Sequence, residues 1–344
     1  MKKYLIPENG HFYKANLHTH TTVSDGCKTP EEIKEIYKAH GYSVVAFTDH
    51  EVMVDHSDLN DENFLTITSY EVNTSGPALY GDFGEYPCYH LNFYAKNPHE
   101  INYPCPNPDY TWGNARAYAE KQEYYKGDHR RVYTTEAQND MIAEALSKGY
   151  LVSYNHPNWS KQTYEHYIGL EGITALEVYN TGCAVGGWTL DESDHVLDDF
   201  LMAGKHVYPV ATDDNHGTHD MCGGWVRFKA PELSYDAIMT AYEQGDFYAS
   251  WGPEIDALYL EDGVLKLDFP ADSHVCRVAV HSAARWAASR HGEDMTHTEV
   301  DLKGFFNDME RLHYPDDRGY LRVVVFDAKG NRAITRGYFL NEFK

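Results

Sequence analysis

The chain has 344 residues, room for one large domain and one small one, and 42% of it is apolar, enough for a full-sized core. Acids outnumber bases 53 to 29, a formal charge of −24, which argues against a surface that grips duplex nucleic acid through its phosphates. A small anionic substrate stays open, because bound cations can dominate the local field of a site.

The start, MKKYLIPENG, has two lysines but no long apolar stretch, so no signal peptide is expected. No run of about 18 apolar residues occurs, so no membrane span is expected. The six cysteines (Cys27, Cys88, Cys105, Cys183, Cys222, Cys276) form no CxxC pair and read as reduced thiols of a cytoplasmic protein. The sequence leaves the oligomeric state open.

In chain order, Tyr13–Leu17 reads as a first strand. Thr29-Pro30-Glu31-Glu32 then opens a helix: Thr29 caps it, Pro30 suits its first position and Glu32 completes a capping box. Ile33, Ile36 and Tyr37 give it an apolar stripe, and Gly41 stops it. Strands are expected at Val44–Phe47, near Phe64–Ser69, near Tyr89–Tyr94, at Tyr150–Tyr154, at Ala175–Tyr179 and at His206–Ala211. Helices are expected at about Thr135–Lys148, Leu190–Ala203 and Ser234–Gln244. Seven strands, several separated by helices, predict an α/β fold with a parallel sheet, closed as an incomplete relative of the eightfold barrel or open and doubly wound. The stretch from about Ala95 to Tyr133 breaks this rhythm with four prolines, many aromatics and the pair Arg130-Arg131, and is expected to be an ordered cap over the site. From Pro253 the pattern turns to short β-like runs (Ile255–Leu260, Val264–Leu267, Cys276–Val280, Tyr320–Phe326) with almost no helix signal. We therefore expect a barrel domain over 1–252 and a small, all-β, sandwich-like domain over 253–344.

The chemistry-bearing residues recur with the strands. Asn16-Leu17-His18-Thr19-His20-Thr21-Thr22-Val23-Ser24-Asp25-Gly26 places His18 and His20 two apart, on one face of an extended segment. Thr48-Asp49-His50 follows the second strand and Glu71 follows the third. His90-Leu91-Asn92 lies in the fourth, Asn155-His156-Pro157 follows the fifth, Glu177 lies in the sixth, and Asp213-Asp214-Asn215-His216 follows the seventh. Singly, each has an ordinary reading: Asp49 and Asp213 as loop caps, Asn155 and Asn180 as turn residues, Glu177 as an edge acid. Together, most stand at the C-terminal ends of strands, the rim where a parallel α/β barrel builds its site. Imidazole with carboxylate and no cysteine suits zinc, manganese or iron in a reactive centre rather than a structural zinc knot.

These elements in this order resemble the PHP family (polymerase and histidinol phosphatase) over about residues 12–251. The resemblance implies the distorted (β/α)7 barrel and two or three divalent metals. By motif, it implies His18, His20, Glu71 and Asp214 on a first metal. Glu71 would bridge to a second, held also by His90 and His156, and Asp25, His50 and His216 would hold a third at the rim. The family's DxH spacing selects Asp214 over Asp213. Phe247-Tyr248-Ala249-Ser250-Trp251-Gly252-Pro253 and Tyr320-Leu321-Arg322-Val323 resemble the branch with a C-terminal β-sandwich, which includes carbamate-ester hydrolases.

Clustered divalent ions lower the pKa of bound water, so hydrolysis would need no nucleophilic side chain, and no serine or cysteine triad stands out. The leading expectation is a phosphoesterase acting on a small phosphomonoester or nucleotide. Arg130 or Arg131 would meet the phosphate, and Trp112 or a tyrosine of the cap would stack on a base or aryl group. The alternatives are a carboxylic or carbamate ester hydrolase on the same metals and a non-catalytic metal-binding protein.

Overall fold

The computed structural model describes residues 2–82, 84–99, 102–111, 113–122, 127–187 and 193–343. Trp112 and the start of the helix expected at Leu190–Ala203 lie outside them. The described part of that helix is Asp194–Met202.

The other expected helices follow their signals. Pro30–Ala39 carries the full capping box, Glu32 N donating to Thr29 Oγ1 and Thr29 N to Glu32 Oε2, and it buries Ile33 and Tyr37. Thr135–Ser147 is capped by Thr134, and Tyr235–Gln244 starts at Ser234 and ends on Gly245 in the left-handed conformation. No helix among the described residues is long and apolar enough to cross a membrane.

A 14-stranded mixed sheet forms the centre. His11–Asn16, Val44–Phe47 and Leu65–Ser75 run parallel, as do Tyr150–Tyr154, Ala175–Asn180 and Tyr208–Thr212. The expectation of an all-parallel arrangement fails at Cys88–Ala95, which is antiparallel to both neighbours. Among the described residues no helix lies between Leu65–Ser75 and Cys88–Ala95, and a chain without a crossover returns antiparallel. Leu65–Ser75 is also longer than expected, so Glu71 sits inside the strand, opposite Asn92, rather than beyond its end. The sheet curls: after the last parallel strand, Asp214 N donates to His18 O at 2.9 Å, and Asn215 bridges Thr19 beyond the first.

Two strands escaped the sequence reading at this point, Trp225–Ala230 and Phe247–Ser250. The first alternates half-buried and buried residues along its whole length, a period-two signal that was there to be read.

Past Pro253 the chain builds a separate antiparallel sheet from Ala257–Glu261, Val264–Asp268 and His297–Asp301, to which Lys2–Tyr4 adds. It packs on strands that extend the large sheet, Val275–Ser282, Ala287–Met295, Tyr320–Asp327 and Arg332–Thr335, the last pairing with Phe247–Ser250. The expected all-β character is corrected by the helix Lys303–Arg311, which buries Phe305 and Met309 one turn apart. Gly304 at its second position weakened the signal.

The strand Tyr320–Asp327 is buried on both faces. Tyr320 and Val324 join the core that also holds Met141, Leu197 and Phe200, while Leu321, Val323 and Val325 join the core between the two sheets. Burial on both sides explains its continuous apolar run. The exception is Arg322, 2% exposed, whose Nε and Nη2 donate to the two oxygens of Asp198 at 2.7 and 2.6 Å. Asp198 belongs to the helix Asp194–Met202, so one bidentate pair pins helix to strand. Removing the acid leaves the buried guanidinium only the longer contact to Asp194 Oδ2, at 3.8 Å. Asp198→Ala should therefore cost about 3 kcal/mol, whereas Arg322→Met, which leaves a half-exposed carboxylate, should cost less. Equal and small losses in denaturant unfolding would refute this ranking.

Candidate metal centre

The loop after His11–Asn16 is shaped by Asp49. Its carboxylate accepts from Thr21 N (2.8 Å), Thr21 Oγ1 (2.8 Å), Ser24 N (3.1 Å) and Ser24 Oγ (2.7 Å). The loop cap read from sequence for Asp49 is what the side chain does. Gly26 closes the turn where a Cβ would stand 2.5 Å from His20 O, so any larger residue would push the loop apart. Asp25 is thereby set beside the histidines. Asp213 acts in the same way on the other side. It accepts from Tyr37 and Thr181 hydroxyls and from the backbone N–H groups of Cys222, Gly223 and Gly224. It turns away from the histidines, and Asp214 faces them.

At the bottom, His18 Nε2 and His20 Nε2 lie 3.1 Å apart. Asp214 Oδ1 is 3.2 Å from the first and 3.0 Å from the second; Glu71 Oε1 and Oε2 are each 3.3 Å from one of them. His90 Nδ1 reaches Glu71 Oε1 at 3.0 Å, and His156 Nε2 lies 3.7 Å from that oxygen and 3.7 Å from Asp214 Oδ2. At the rim, Asp25 Oδ2 lies 3.3 Å from His216 Nε2 and 3.9 Å from His50 Nε2. All nine residues expected from sequence thus converge. One point differs from the expected separation of the rim set: His20 Nδ1 is 3.8 Å from Asp25 Oδ1, and His50 Nδ1 is 3.1 Å from Glu71 Oε2. The two sets share a wall. Among the described residues, no potential metal-binding group draws on residues 253–344.

The charges are strongly coupled. Burial would push His18 toward neutrality, but Asp214, Glu71 and Glu177 outweigh it and raise its pKa well above the usual value. His20 is raised to about 9, its burial offset by Asp214 and Glu71. His50 is lowered to about 3 by burial and by His20. Glu71 and Asp214 are held well below the carboxylate range because the surrounding imidazoles outweigh burial. Divalent metal fits this donor set. Among the described residues Glu71 Oε2 is buried without a well-formed hydrogen bond, although two imidazole nitrogens stand within 3.3 Å of it. Donor atoms aimed at a common point rather than at one another are what a shared cation requires.

A second layer holds the donors. Glu177 Oε1 takes His18 Nδ1 at 2.6 Å and the Thr212 hydroxyl at 2.7 Å; its Oε2 accepts from His156 N and Asn180 Nδ2. The edge-acid reading of Glu177 is corrected: it is 1% exposed and its contacts fix the ring of His18. Asn155 Nδ2 donates to Glu71 Oε1 at 2.8 Å and Asn180 Nδ2 to Asp214 Oδ2 at 3.1 Å, so both asparagines serve the centre beyond any turn. Asn73 Nδ2 meets His90 Nε2 at 2.8 Å. Its position, two after Glu71 on one strand face, was the only hint available. His156 and Asp214 adopt positive φ, 25° and 51°, rare for residues with side chains and a common mark of functional sites.

The centre opens into a cavity of about 390 Å³ lined by Asp25, His50, Glu71, His90 and His216, among others. Next to it, Arg131 lines a second cavity with Glu51, Asn73, Ser75 and Tyr110. Its Nη2 donates to the buried Glu51 at 2.7 Å and its Nη1 to Cys105 O, while Arg130 is exposed. The stretch expected as a cap is anchored beneath: Tyr103 OH donates to Met53 O and accepts from Met53 N, and Tyr103 and Cys105 are buried.

A carboxylate that fixes the far nitrogen of a metal-binding histidine commonly contributes 10–100-fold in metal affinity. Glu177→Gln should therefore weaken metal binding by about 10–100-fold, measured by competition with a chromogenic chelator, with the fold intact by circular dichroism. Affinity equal to wild type would show that Glu177 is only a packing residue.

No family model matches the chain, and no curated protein matches it. Among solved structures it is similar to a two-domain protein from Bacteroides vulgatus containing a predicted PHP-like metal-dependent phosphoesterase, with 14% identity over 97% of this chain and 98% of that one and a TM-score of 0.42. It is also similar to an amidohydrolase from Chromobacterium violaceum with bound sulfate and no metal (13% identity, 68% and 96% covered, TM-score 0.42). A third is a lesion-specific endonuclease from Pyrococcus furiosus (13% identity, 68% and 56% covered, TM-score 0.39). The described residues hold His, Asp and Glu groups able to bind metal.

Proposed function

We propose that this chain is a metal-dependent hydrolase, most specifically a phosphoesterase acting on a small phosphomonoester or nucleotide. We read its curled sheet as a distorted (β/α)7 barrel with the catalytic centre at its mouth. The observation that carries the proposal is Glu71: one buried carboxylate whose two oxygens face different histidines, with Asp214 alongside. A bridging carboxylate between sets of imidazoles is the arrangement of multinuclear hydrolytic sites.

His18, His20, Glu71 and Asp214 would hold one ion, and Glu71, His90 and His156 a second. Asp25, His50 and His216, with His20 at the shared wall, would hold a third. Manganese, zinc and iron all suit these donors. When bound, such ions supply Lewis acidity, acidify water and neutralise charge on the attacked ester. The chain's own residues do the rest. Glu177 keeps His18 in one tautomer, with its Nε2 lone pair toward the centre. Asn155 and Asn180 hold the carboxylates in register. His216, whose side chain is 40% exposed, stands where a substrate enters. The cavity suits a small molecule. Arg131 sits in the adjoining cavity, but Glu51 already takes much of its charge, so we assign it to orientation of a polar substituent rather than to the ester itself.

The deciding experiment is a panel of phosphomonoesters, nucleotides, and aryl carboxylate and carbamate esters, run with manganese-loaded protein. Turnover of phosphomonoesters is expected. Turnover of carboxylic or carbamate esters alone would overturn the phosphoesterase reading and leave the hydrolase. Protein purified without chelator should carry two or more equivalents of transition metal, and stripping them should abolish turnover. Full activity in metal-free protein would sink the proposal. Glu71→Ala should empty the inner sites together, because one carboxylate serves both. His216→Ala should depress kcat while the inner sites keep their metal. Loss of all metal from His216→Ala, or turnover unchanged, would refute this division.

A further inference from the structure

One large aromatic stands at the mouth of the centre. Trp159 is 42% exposed, yet its ring packs against two of the inner histidines, 5.1 Å from His156 at 81° and 5.7 Å from His90 at 60°. Its place is not left to chance. The turn after His156 is closed by Ser160 N to His156 O (3.1 Å) and Gln162 N to Pro157 O (3.0 Å). His156 Nδ1 meets Ser160 Oγ at 3.1 Å, and Cys88 N donates to Ser160 O, tying the turn to the neighbouring strand. The segment that presents His156 to the centre therefore presents Trp159 to the entrance.

Two cavities open from the centre, of about 390 and 220 Å³, and both are lined by Trp159, Asp214 and His216. Trp159 stands on the partition between them. Tyr86, 60% exposed, also lines the larger one. Burying the remaining apolar surface of an indole is favourable, and an aromatic ring does it best, because offset-stacked and edge-to-face pairs add to simple burial. An alkyl chain would gain only the area.

We propose that Trp159 is the specificity-determining residue of the site: it packs on a planar aromatic or heteroaromatic ring that the substrate carries close to its ester group. The substrate class is then an aryl, benzyl or nucleoside ester in preference to a phosphorylated sugar or alkyl alcohol. This rests on the hydrolase reading above, and the test separates the two.

The probes are benzylphosphonate and methylphosphonate, which share the anionic group and are not hydrolysed. Calorimetric titration of manganese-loaded protein should show benzylphosphonate binding about tenfold tighter, the scale of one stacked ring. Trp159→Ala should abolish that preference, and Trp159→Phe should keep most of it. Bound metal per chain, measured in parallel, reports on any loosening of His156 and His90. The proposal is overturned if wild type does not discriminate, or if Trp159→Ala weakens both phosphonates alike, because the indole would then serve only to pack the histidines. If neither phosphonate binds, hydrolysis of benzyl acetate against methyl acetate decides. A Trp159-dependent preference there sustains the ring site while the phosphoester reading falls; no preference, or no turnover of either ester, overturns both.

Discussion

Glu71 is fully buried and carries its charge among imidazoles from four different segments of the chain, those of His18 and His20, His50, His90 and His156. A charge in that position is tolerable only if opposite charge surrounds it. The histidines can supply it by protonation, as the raised values of His18 and His20 show, or a cation can supply it in their place. The geometry suits a cation as well, since Glu71 Oε2 faces two imidazole nitrogens at 3.3 and 3.1 Å. Everything around the centre reads as support for holding these like-directed lone pairs together. Without an ion the arrangement is costly, and a sheet that converges here must hold them against that cost.

The support is distributed by role. Two adjacent aspartates divide the work, Asp213 binding backbone N–H groups of its own loop and the hydroxyls of Tyr37 and Thr181 while Asp214 faces the histidines. Asp49 does for the first loop what Asp213 does for the last. Glu177, Asn155 and Asn180 stand one layer further out. Loops shaped by internal acceptors on a rigid sheet let a site be precise although most of its residues lie at strand ends.

Much of this was legible in the residues. The strand-end histidines and acids could be picked out because each follows or occupies a strand whose apolar run is plain, and the resemblance to the PHP family narrowed them to the nine that converge. The outer layer was not legible: Glu177 and Asn180 look like ordinary strand and turn residues until the partner histidine arrives from 159 positions away. Strand direction was not legible either, because an apolar run such as Cys88–Ala95 is the same read in either sense. The helix Lys303–Arg311 was hidden by a glycine and by short length. Trp159 was invisible as a site residue, since nothing local distinguishes an indole at an entrance from one in a core.

The strand Lys2–Tyr4 pairs with Ala257–Glu261, and Arg332–Thr335 pairs with Phe247–Ser250 while Tyr320–Asp327 serves two cores. These pairings close very long loops, and ordering such loops comes before the contacts that reward it. The two regions therefore share one sheet: the strands that gather the histidines are continued by Arg332–Thr335 and Tyr320–Asp327, and Phe247–Ser250 is an open edge until these arrive. Until then the sheet's apolar edges and clustered charges stay uncovered, the condition in which partly folded chains aggregate. Sequence-distant pairing of this kind makes for slow, concerted assembly.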